Sequence, residues 1–252
     1  MISPSIIYNT GAFSLTVQIL TGLFDLYVVF LDTPPYMQIL KKVLWMEIFV
    51  QIIEGSFYIW LVRNFHKIGD ITKYRYWDWI ITTPTMLISF SMYLYYLKNR
   101  KESQSPIQKS IFEILYDKSD FFLPVFILNT LMLLAGYMAE LGRISFQLAA
   151  VLGFIPFVIY FYMIYETFAK YTDFGQQVFW VFAGIWALYG VASVMSYTNK
   201  NIMYNILDLL AKNFFGIFIA GLLYFEHRNG RGGRENGHTG NLGGGCGCCG
   251  RK

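Results

Sequence analysis

The chain has 252 residues and a formal net charge of +4, and 55% of its residues are apolar, 19% aromatic and only 14% charged. Soluble domains carry roughly 25% charged residues, so this composition excludes an ordinary soluble globular domain. The basic residues lie at the ends of apolar segments and in the C-terminal tail, which is typical of membrane topology rather than of nucleic-acid binding.

Seven apolar stretches are long enough to cross about 30 Å of hydrocarbon as helices. Pro34 and Pro35 separate the first from the second, and a polar run from Lys98 to Ser119 separates the third from the fourth. The sequence therefore predicts an all-α membrane protein with a seven-transmembrane-helix bundle. The predicted spans are residues 10–31, 38–64, 72–97, 120–140, 144–168, 176–197 and 202–225.

The cations in the loops predict the orientation of the bundle. With the N-terminus outside, thirteen cations fall in the inner loops and the tail, and five fall on the outer side, namely Arg63, Lys67, Lys73, Arg143 and Lys200. Positive residues accumulate on the cytoplasmic side of membrane proteins. We therefore expect the N-terminus outside and the C-terminus inside, in a plasma membrane or a host-cell membrane.

The second span carries two acidic residues, Glu47 and Glu54, which are seven residues apart and share one helix face. An ionisable group within a span costs several kcal/mol, so each needs a partner or a function. Two glutamates on one face can hold a proton or line a hydrated cation path. The alternative is a structural role, in which both are hydrogen-bonded to neighbouring helices without transport.

The third span contains a polar stripe. Arg75, Asp78, Thr82 and Ser89 lie close to one face of a helix, and Asp78 is separated from Ser89 by about 16 Å of helical rise. A column made of a carboxylate and two hydroxyl groups suits proton transfer. The hydroxyl groups can equally bond back to carbonyl groups of their own helix.

The seventh span places Asp208 and Lys212 one helical turn apart, on the same face. The pair by itself is equally consistent with a structural role, in which the two charges help to join neighbouring helices. A buried lysine is also the natural position for a Schiff base. A protonated Schiff base keeps its positive charge and needs carboxylates nearby.

These segments resemble the microbial (type 1) rhodopsins. Arg75–Pro84 is similar to their third helix, with the pattern Arg-x-x-Asp-Trp-x-x-Thr-Thr-Pro, and Asp208–Lys212 is similar to their seventh. The resemblance implies that all-trans retinal is bound as a protonated Schiff base on Lys212. It also implies that Asp78 is the proton acceptor, and that Asp208 is the second counterion.

The same resemblance indicates further residues around the chromophore. Tyr58 corresponds to a tyrosine beside the counterion, and the fourth and sixth spans match the patterns that surround the ring and pack against the polyene. The expected pocket residues are Tyr58, Trp79, Thr83, Asn129, Met132, Gly136, Trp186 and Tyr189.

The sequence departs from the familiar pumps at three positions. Gly190 stands where the sixth helix usually has proline, and Ser193 where it usually has a second tryptophan, so a looser pocket wall is expected there. Ser89 occupies the position of the carboxylic proton donor. The triplet of Asp78, Thr82 and Ser89 is similar to that of rhodopsins from giant viruses of marine protists, which indicates the viral subgroup.

The family resemblance leaves three functions open. Asp78 beside Arg75 favours a light-driven outward proton pump, ranked first by a narrow margin, with Glu47 as a candidate for the missing proton donor. The second alternative is a light-gated cation channel, with Glu47, Glu54 and Asn201 lining the path. A sensory receptor ranks third, because no transducer-binding domain is fused to the chain. No enzymatic activity is expected.

The bulk of the chain, residues 1–228, is predicted to form one retinal-binding membrane domain, followed by a disordered cytoplasmic tail over residues 229–252. The tail is rich in Gly and Arg and ends with Cys246, Cys248 and Cys249. These cysteines are candidates for palmitoylation, although an incidental cluster is about as plausible.

The expected partners are the lipid bilayer and protons or small cations, and a homo-oligomer is left open. No nucleic-acid partner is expected. No metal site is predicted, because the histidines are scattered over loop and tail as His66, His227 and His238.

Overall fold

A computed structural model describes the backbone of residues 4–103 and 105–239, and the side chains of residues 5–103 and 105–229. The described residues are helical nearly throughout. The α-helices are α1 (Pro4–Val29), α2 (Gln38–Asn64), α3 (Arg75–Glu102), α4 (Ile111–Asp117), α5 (Ser119–Glu140), α6 (Phe146–Thr167), α7 (Asp173–Ser193), α8 (Tyr197–Asp208) and α9 (Phe214–Thr239).

Within the described residues, seven helices are long and apolar enough to cross a membrane. Six of them are built on α1, α2, α3, α5, α6 and α7, and α8 and α9 together form the seventh. The predicted all-α bundle of seven membrane helices is thus confirmed. We call the end at which α1, α3 and α8 begin the outer end, and the opposite end, at which α2 begins, the inner end.

The helix limits agree with the sequence wherever a breaker marks them. Helix α2 runs over Gln38–Asn64, as predicted, because Pro34 and Pro35 precede it. Helix α1 begins at Pro4, earlier than the predicted residue 10. Its first turns are polar, but Thr10 donates its hydroxyl to the carbonyl groups of Ile6 and Ile7. A threonine whose hydroxyl is bonded to the backbone of its own helix therefore does not end that helix.

The polar run before Ser119 contains a short helix, α4, that the sequence prediction missed. Ser110 accepts a hydrogen bond from the backbone N–H of Glu113, and the Glu113 carboxylate accepts one from the N–H of Ser110. This reciprocal pair is a capping box, and its Ser-x-x-Glu spacing is visible in the sequence. A search for this signal finds the helix.

The seventh span is interrupted by a π-helical turn at Leu209–Asn213, which contains Lys212. Such turns are rare and occur frequently at functional sites. Helix α9 then continues to Thr239, so it includes the first residues of the tail that is predicted to be disordered from residue 229. Adding residues to a packed helix costs less than starting a new one. The last part of the predicted tail, with its three cysteines, lies outside the described residues.

The bundle has an apolar half and a polar half. In the inner half of α3, α7 and α9 the core is aromatic, and the rings of Phe90 and Phe182 stack with centroids 3.9 Å apart. Around α1, α2 and α8, by contrast, most of the buried polar and charged side chains are found. Large apolar side chains such as Phe13 and Trp180 are 63% and 64% exposed, which suits a surface that faces lipid.

Candidate functional site

Lys212 lies at the centre of a buried group of carboxylates. Its side chain is 2% exposed, and its Nζ donates a hydrogen bond to Oδ2 of Asp78 at 2.7 Å. Nζ also lies 3.6 Å from Oδ1 of Asp208 and 3.6 Å from Oε1 of Glu54. Acidic side chains from α2, α3 and α8 therefore surround one amine. This arrangement stabilises a positive charge on that nitrogen away from bulk water.

Asp208 is held by three donors. Its Oδ2 accepts hydrogen bonds from the hydroxyl of Tyr58 at 2.7 Å and from Nη1 of Arg75 at 3.3 Å. Its Oδ1 accepts one from the hydroxyl of Tyr189 at 2.8 Å. Donors from α2, α3 and α7 therefore fix the position of this carboxylate one turn from Lys212.

Arg75 closes the outer side of this site. It is fully buried, and Nη2 donates to Oδ1 of Asn205 at 2.5 Å while Nε donates to Oδ1 of Asn201 at 3.2 Å. Asn201 is itself fixed by Thr72, whose hydroxyl oxygen accepts a hydrogen bond from Nδ2 at 2.8 Å. The guanidinium is thus anchored to α8 as well as to Asp208.

The predicted polar column on α3 is not continuous. Thr82 donates its hydroxyl to the backbone carbonyl of Asp78 at 3.0 Å, not to the carboxylate. Oδ1 of Asp78 has no hydrogen-bond partner in the part of the chain that the structure describes. Of the two alternatives that the sequence leaves open for the Thr82 hydroxyl, the structure shows the bond back to its own helix.

Ser89 turns away from this column toward α2. Its hydroxyl donates to Oε1 of Glu47 and approaches the backbone carbonyl of Thr85 at 3.1 Å. Glu47 is fully buried and stands on α2 opposite the position that Ser89 holds on α3. The structure thus brings Glu47, the candidate proton donor, into contact with Ser89, which occupies the usual position of the donor.

An apolar cavity extends from Lys212 between α3, α5, α6 and α7. Its lining is mostly apolar and aromatic with a few polar groups, as is usual for a small-molecule site. Most of the predicted pocket residues line it, namely Trp79, Thr83, Met132, Gly136, Trp186, Tyr189 and Lys212. A long apolar group attached to the Lys212 amine fits this shape and chemistry.

The other two predicted pocket residues support the wall from behind. Nδ2 of Asn129 donates to the hydroxyl of Thr83 at 2.8 Å, and Thr83 donates to the carbonyl of Trp79 at 2.8 Å. Tyr58 contacts Asp208 and is absent from the cavity lining. These residues therefore position others and do not form the cavity surface.

The cavity wall at Gly190 is filled by a neighbouring aromatic ring. A Cβ atom at Gly190 would lie 2.6 Å from the ring of Phe154, so this ring packs directly against the glycine backbone. Ser193 donates its hydroxyl to the carbonyl of Gly190 at 2.6 Å. The sequence prediction of a looser wall missed Phe154, which lies on α6 and replaces part of the lost side-chain volume.

A polar seam runs along the opposite side of Lys212, where α1, α2 and the last span meet. It consists of nine buried polar side chains: Ser14, Gln18, Thr21, Asp25, Glu47, Gln51, Glu54, Asn205 and Asn213. Sequence reasoning found only the two glutamates. The α1 residues were missed because each is a single polar residue in an apolar stretch, although their spacing places them on one face.

Hydrogen bonds connect neighbouring helices along the seam. Near its outer end Ser14 donates to the carbonyl of Asn205 at 3.5 Å, and farther in Thr21 donates to Oδ1 of Asn213 at 3.2 Å. At its inner end Nε2 of Gln51 donates to Oδ2 of Asp25 at 2.6 Å. These bonds therefore join α1 to α2 and to the last span at three levels of the bundle.

Many polar atoms of the seam have no hydrogen-bond partner among the described residues. Buried polar atoms in proteins are almost always paired with protein or water, and polar sites with several such groups are where internal water is held. The residues with such atoms are Gln18, Asp25, Glu47, Gln51, Glu54 and Asn213. These groups can solvate water or a cation.

The family of the chain follows from comparison with known proteins. The bacteriorhodopsin-like protein family matches residues 9–224, which is most of the sequence, so the chain belongs to this family. Its members are retinal proteins that act as ion pumps, channels or sensors and not as enzymes. The chain is therefore a retinal-binding, multi-pass integral membrane protein.

The individual proteins that resemble this chain have low sequence identity to it. The green-light absorbing proteorhodopsin of Gamma-proteobacterium EBAC31A08 is 26% identical over 194 residues, which cover 68% of this chain and 70% of that protein. Among solved structures, viral rhodopsin OLPVRII is 25% identical with a TM-score of 0.74, over 86% of this chain and 96% of the other.

Xanthorhodopsin, which is described as a light-driven ion pump with a dual chromophore, is 17% identical with a TM-score of 0.67, over 90% of this chain and 95% of the other. At this identity the likeness supports the fold alone. The predicted membership of the microbial rhodopsins is confirmed, and the viral rhodopsin among the similar structures supports the predicted viral subgroup.

Proposed function

We propose that this protein is a light-gated cation channel, in which retinal is attached to Lys212 and cations pass along the polar seam. The observation that supports this most is the seam itself. It joins buried carboxylates, amides and hydroxyls between α1, α2 and the last span, and many of their polar atoms lack a partner among the described residues. Polar side chains around a narrow path are how channels replace the hydration shell of an ion.

The attachment to Lys212 is supported by the chemistry around its amine. Retinal, when bound, supplies a polyene that light isomerises and a protonated imine nitrogen at Nζ of Lys212. Asp78 at 2.7 Å and Asp208 at 3.6 Å balance the charge at that nitrogen. The apolar cavity on the other side of Lys212 excludes water from the rest of the bound group.

The protein residues then carry out the proton step. Asp78 is placed to accept the proton held at Nζ of Lys212, because its Oδ2 already accepts a hydrogen bond from that atom. Neutralising Asp78 weakens the attraction between α3 and the π-helical turn that contains Lys212. Glu54 lies 3.6 Å from the same nitrogen and belongs to the seam, so it couples this charge change to the path.

Arg75 closes the outer end of the path in the dark. Its guanidinium is bound to Asp208, Asn201 and Asn205, and it occupies the outer end of the seam. A fixed positive charge there repels cations. Proton transfer to Asp78 removes a negative charge one helical turn from Arg75. The guanidinium is then held less strongly, and the barrier to cations falls.

This order reverses the ranking that the sequence supports. The sequence ranking gives most weight to the proton acceptor and finds only Glu47, Glu54 and Asn201 as residues that line a path. The seam extends them into a strip that includes Asp25 and Gln51, whereas a pump needs a barrier on one side of the lysine at every stage. We therefore place conduction first and proton pumping second.

A light-driven proton pump remains the second candidate because of one specific observation. Ser89 donates a hydrogen bond to Glu47, so Glu47 stands where a proton donor to the inner side of Lys212 is required. If Glu47 is that donor, Glu47→Gln will slow the recovery of the dark state severalfold without changing the direction of the current. An unaltered photocycle rules out this role.

The proposal is tested by voltage clamp in retinal-fed cells. We expect a photocurrent whose reversal potential follows the imposed Na⁺ gradient, and Glu54→Gln should change its amplitude or its closing rate severalfold. Glu102→Gln is the matched control, because Glu102 is an exposed acidic residue at the end of α3. A photocurrent that stays outward under every gradient refutes conduction and supports the pump.

A further inference from the structure

Asp25 and Gln51 form the inner end of the polar seam. Asp25 is fully buried on α1, and Gln51 is 6% exposed on α2. Nε2 of Gln51 donates a hydrogen bond to Oδ2 of Asp25 at 2.6 Å. A buried carboxylate within a span is costly unless it has a function or a cationic partner, and no cation is bonded to Asp25 among the described residues.

Two glycines make room for this pair. A Cβ atom at Gly216 would lie 2.6 Å from Oδ2 of Asp25 and 2.7 Å from Nε2 of Gln51, and one at Gly22 would lie 2.9 Å from Oε1 of Gln51. The pair is thus seated between the backbones of α1 and α9. Gly216 follows Lys212 by one helical turn, so a shift of the lysine segment acts directly on the pair.

The pair presents free oxygen atoms to the seam. Oδ1 of Asp25 and Oε1 of Gln51 have no hydrogen-bond partner among the described residues, and Oε2 of the neighbouring Glu47 has none either. Carboxylate and amide oxygens are the ligands that hard cations prefer.

We propose that Asp25 and Gln51 form a cation-binding subsite at the inner end of the seam, which binds a small monovalent cation such as Na⁺ during conduction. The inference rests on the proposed channel function and adds a specific binding step to it. The subsite is expected to bind a passing ion weakly, because conduction requires that the ion also leaves.

The subsite is tested by measuring photoconductance against Na⁺ concentration, with equal solutions on both sides of the membrane. Binding at Asp25 makes the conductance of the wild-type protein saturate. Asp25→Asn keeps the size of the side chain but removes its charge, and should raise the half-saturating Na⁺ concentration by about tenfold, because a neutral amide attracts a cation far less than a carboxylate does. Asp32→Asn, an exposed residue just after α1, should leave it unchanged.

A second variant tests the same subsite if Asp25→Asn does not assemble a coloured protein. Gly216→Ala places a methyl group against both side chains and should also raise the half-saturating concentration severalfold. Gly221→Ala on the same helix is its control, because a Cβ atom there would meet nothing within 4 Å. An unchanged concentration dependence in the Gly216 variant contradicts the subsite.

The outcomes separate this inference from the proposed function. A wild-type photocurrent that does not reverse with the Na⁺ gradient refutes the channel, and the subsite with it. A reversing current whose conductance rises linearly with Na⁺, or whose half-saturation is the same in Asp25→Asn, refutes the subsite and leaves the channel intact.

Discussion

At the residue scale, the charges around Lys212 do not balance. Lys212 and Arg75 face Asp78, Asp208 and Glu54, and all five side chains are buried. Asp78 is bonded to Lys212, and Asp208 accepts bonds from Arg75 and two tyrosines. Glu54 accepts no hydrogen bond from the described residues. Its Oε1 lies 3.6 Å from Nζ of Lys212, so three carboxylates share one amine.

The covalent link to the chromophore depends on the Lys212 amine alone. We expect Lys212→Ala to abolish visible absorbance completely after reconstitution with retinal, because no Schiff base can form without the amine. Absorption spectra of the purified protein measure this, with size-exclusion chromatography as the test of folding. Lys67→Ala, an exposed lysine in a loop, should keep the absorbance of the wild type. A visible band in Lys212→Ala refutes the attachment.

Asp78 is expected to set both the colour and the proton step. Asp78→Asn removes the charge nearest to Lys212 and should shift the absorption maximum to the red, because a carboxylate localises positive charge at the nitrogen. It should also abolish proton transfer within the photocycle, measured by flash photolysis. Asp120→Asn, at an exposed site on α5, is the control. An unshifted spectrum with normal transfer removes Asp78 as acceptor.

At the element scale, the polar faces of two helices share one spacing. On each of α1 and α2, four buried polar residues are separated by four, three and four positions, and this spacing keeps them on one helix face. The residues are Ser14, Gln18, Thr21 and Asp25 on α1, and Glu47, Gln51, Glu54 and Tyr58 on α2. This repeat is readable from the sequence, and it would have identified the α1 side of the seam.

Helix α7 allows a matched test of packing against the cavity. Gly190→Ala places a Cβ atom 2.6 Å from the ring of Phe154, and overpacking of this kind costs about 1–3 kcal/mol. We expect a lower temperature of thermal bleaching and a shifted absorption maximum. Gly184→Ala on the same helix should change neither, because a Cβ atom there would meet nothing within 4 Å. Equal behaviour of the two variants contradicts the packing described at Gly190.

Helices α5 and α8 are joined by a buried ion pair that the sequence did not reveal. Nζ of Lys200 lies 2.9 Å from Oε1 of Glu140, with the two side chains 4% and 5% exposed. Lys200 was predicted to be an outer-side loop cation. It lies near the outer start of α8 but is buried, and its ammonium group also lies 3.6 Å from the centroid of the Phe146 ring.

We expect Lys200→Met alone to destabilise the protein by about 3–5 kcal/mol, because it leaves a buried carboxylate without its partner. The double variant Glu140→Leu with Lys200→Met should recover most of this loss, since both charges are then absent. Thermal bleaching midpoints of the single and double variants measure the effect. A double variant as unstable as Lys200→Met contradicts the pairing.

At the scale of the whole molecule, the number of spans and their approximate limits follow from the sequence, because hydrocarbon thickness fixes helix length. The residues near Lys212 also follow, because the third and seventh helices carry dense motifs. Which buried groups meet across helices cannot be predicted in this way. Asp25 and Gln51 belong to different helices, and only the packing of the bundle brings them together at 2.6 Å.

The division of the bundle into two halves explains how one molecule can hold a chromophore and a path. The apolar cavity on the side of α5, α6 and α7 fits a long apolar group, and the polar seam on the side of α1 and α2 suits ions. Lys212 and its carboxylates lie between them. A charge change at this boundary therefore reaches both halves without a long chain of contacts.

The most direct test of this account is the steady photocurrent at zero voltage with identical solutions on both sides of the membrane. With no gradient and no voltage, a channel carries no net current, whereas a pump continues to move charge. The account predicts no sustained current under these conditions and a large one in either direction once a voltage is applied. A sustained outward current at zero voltage would contradict it.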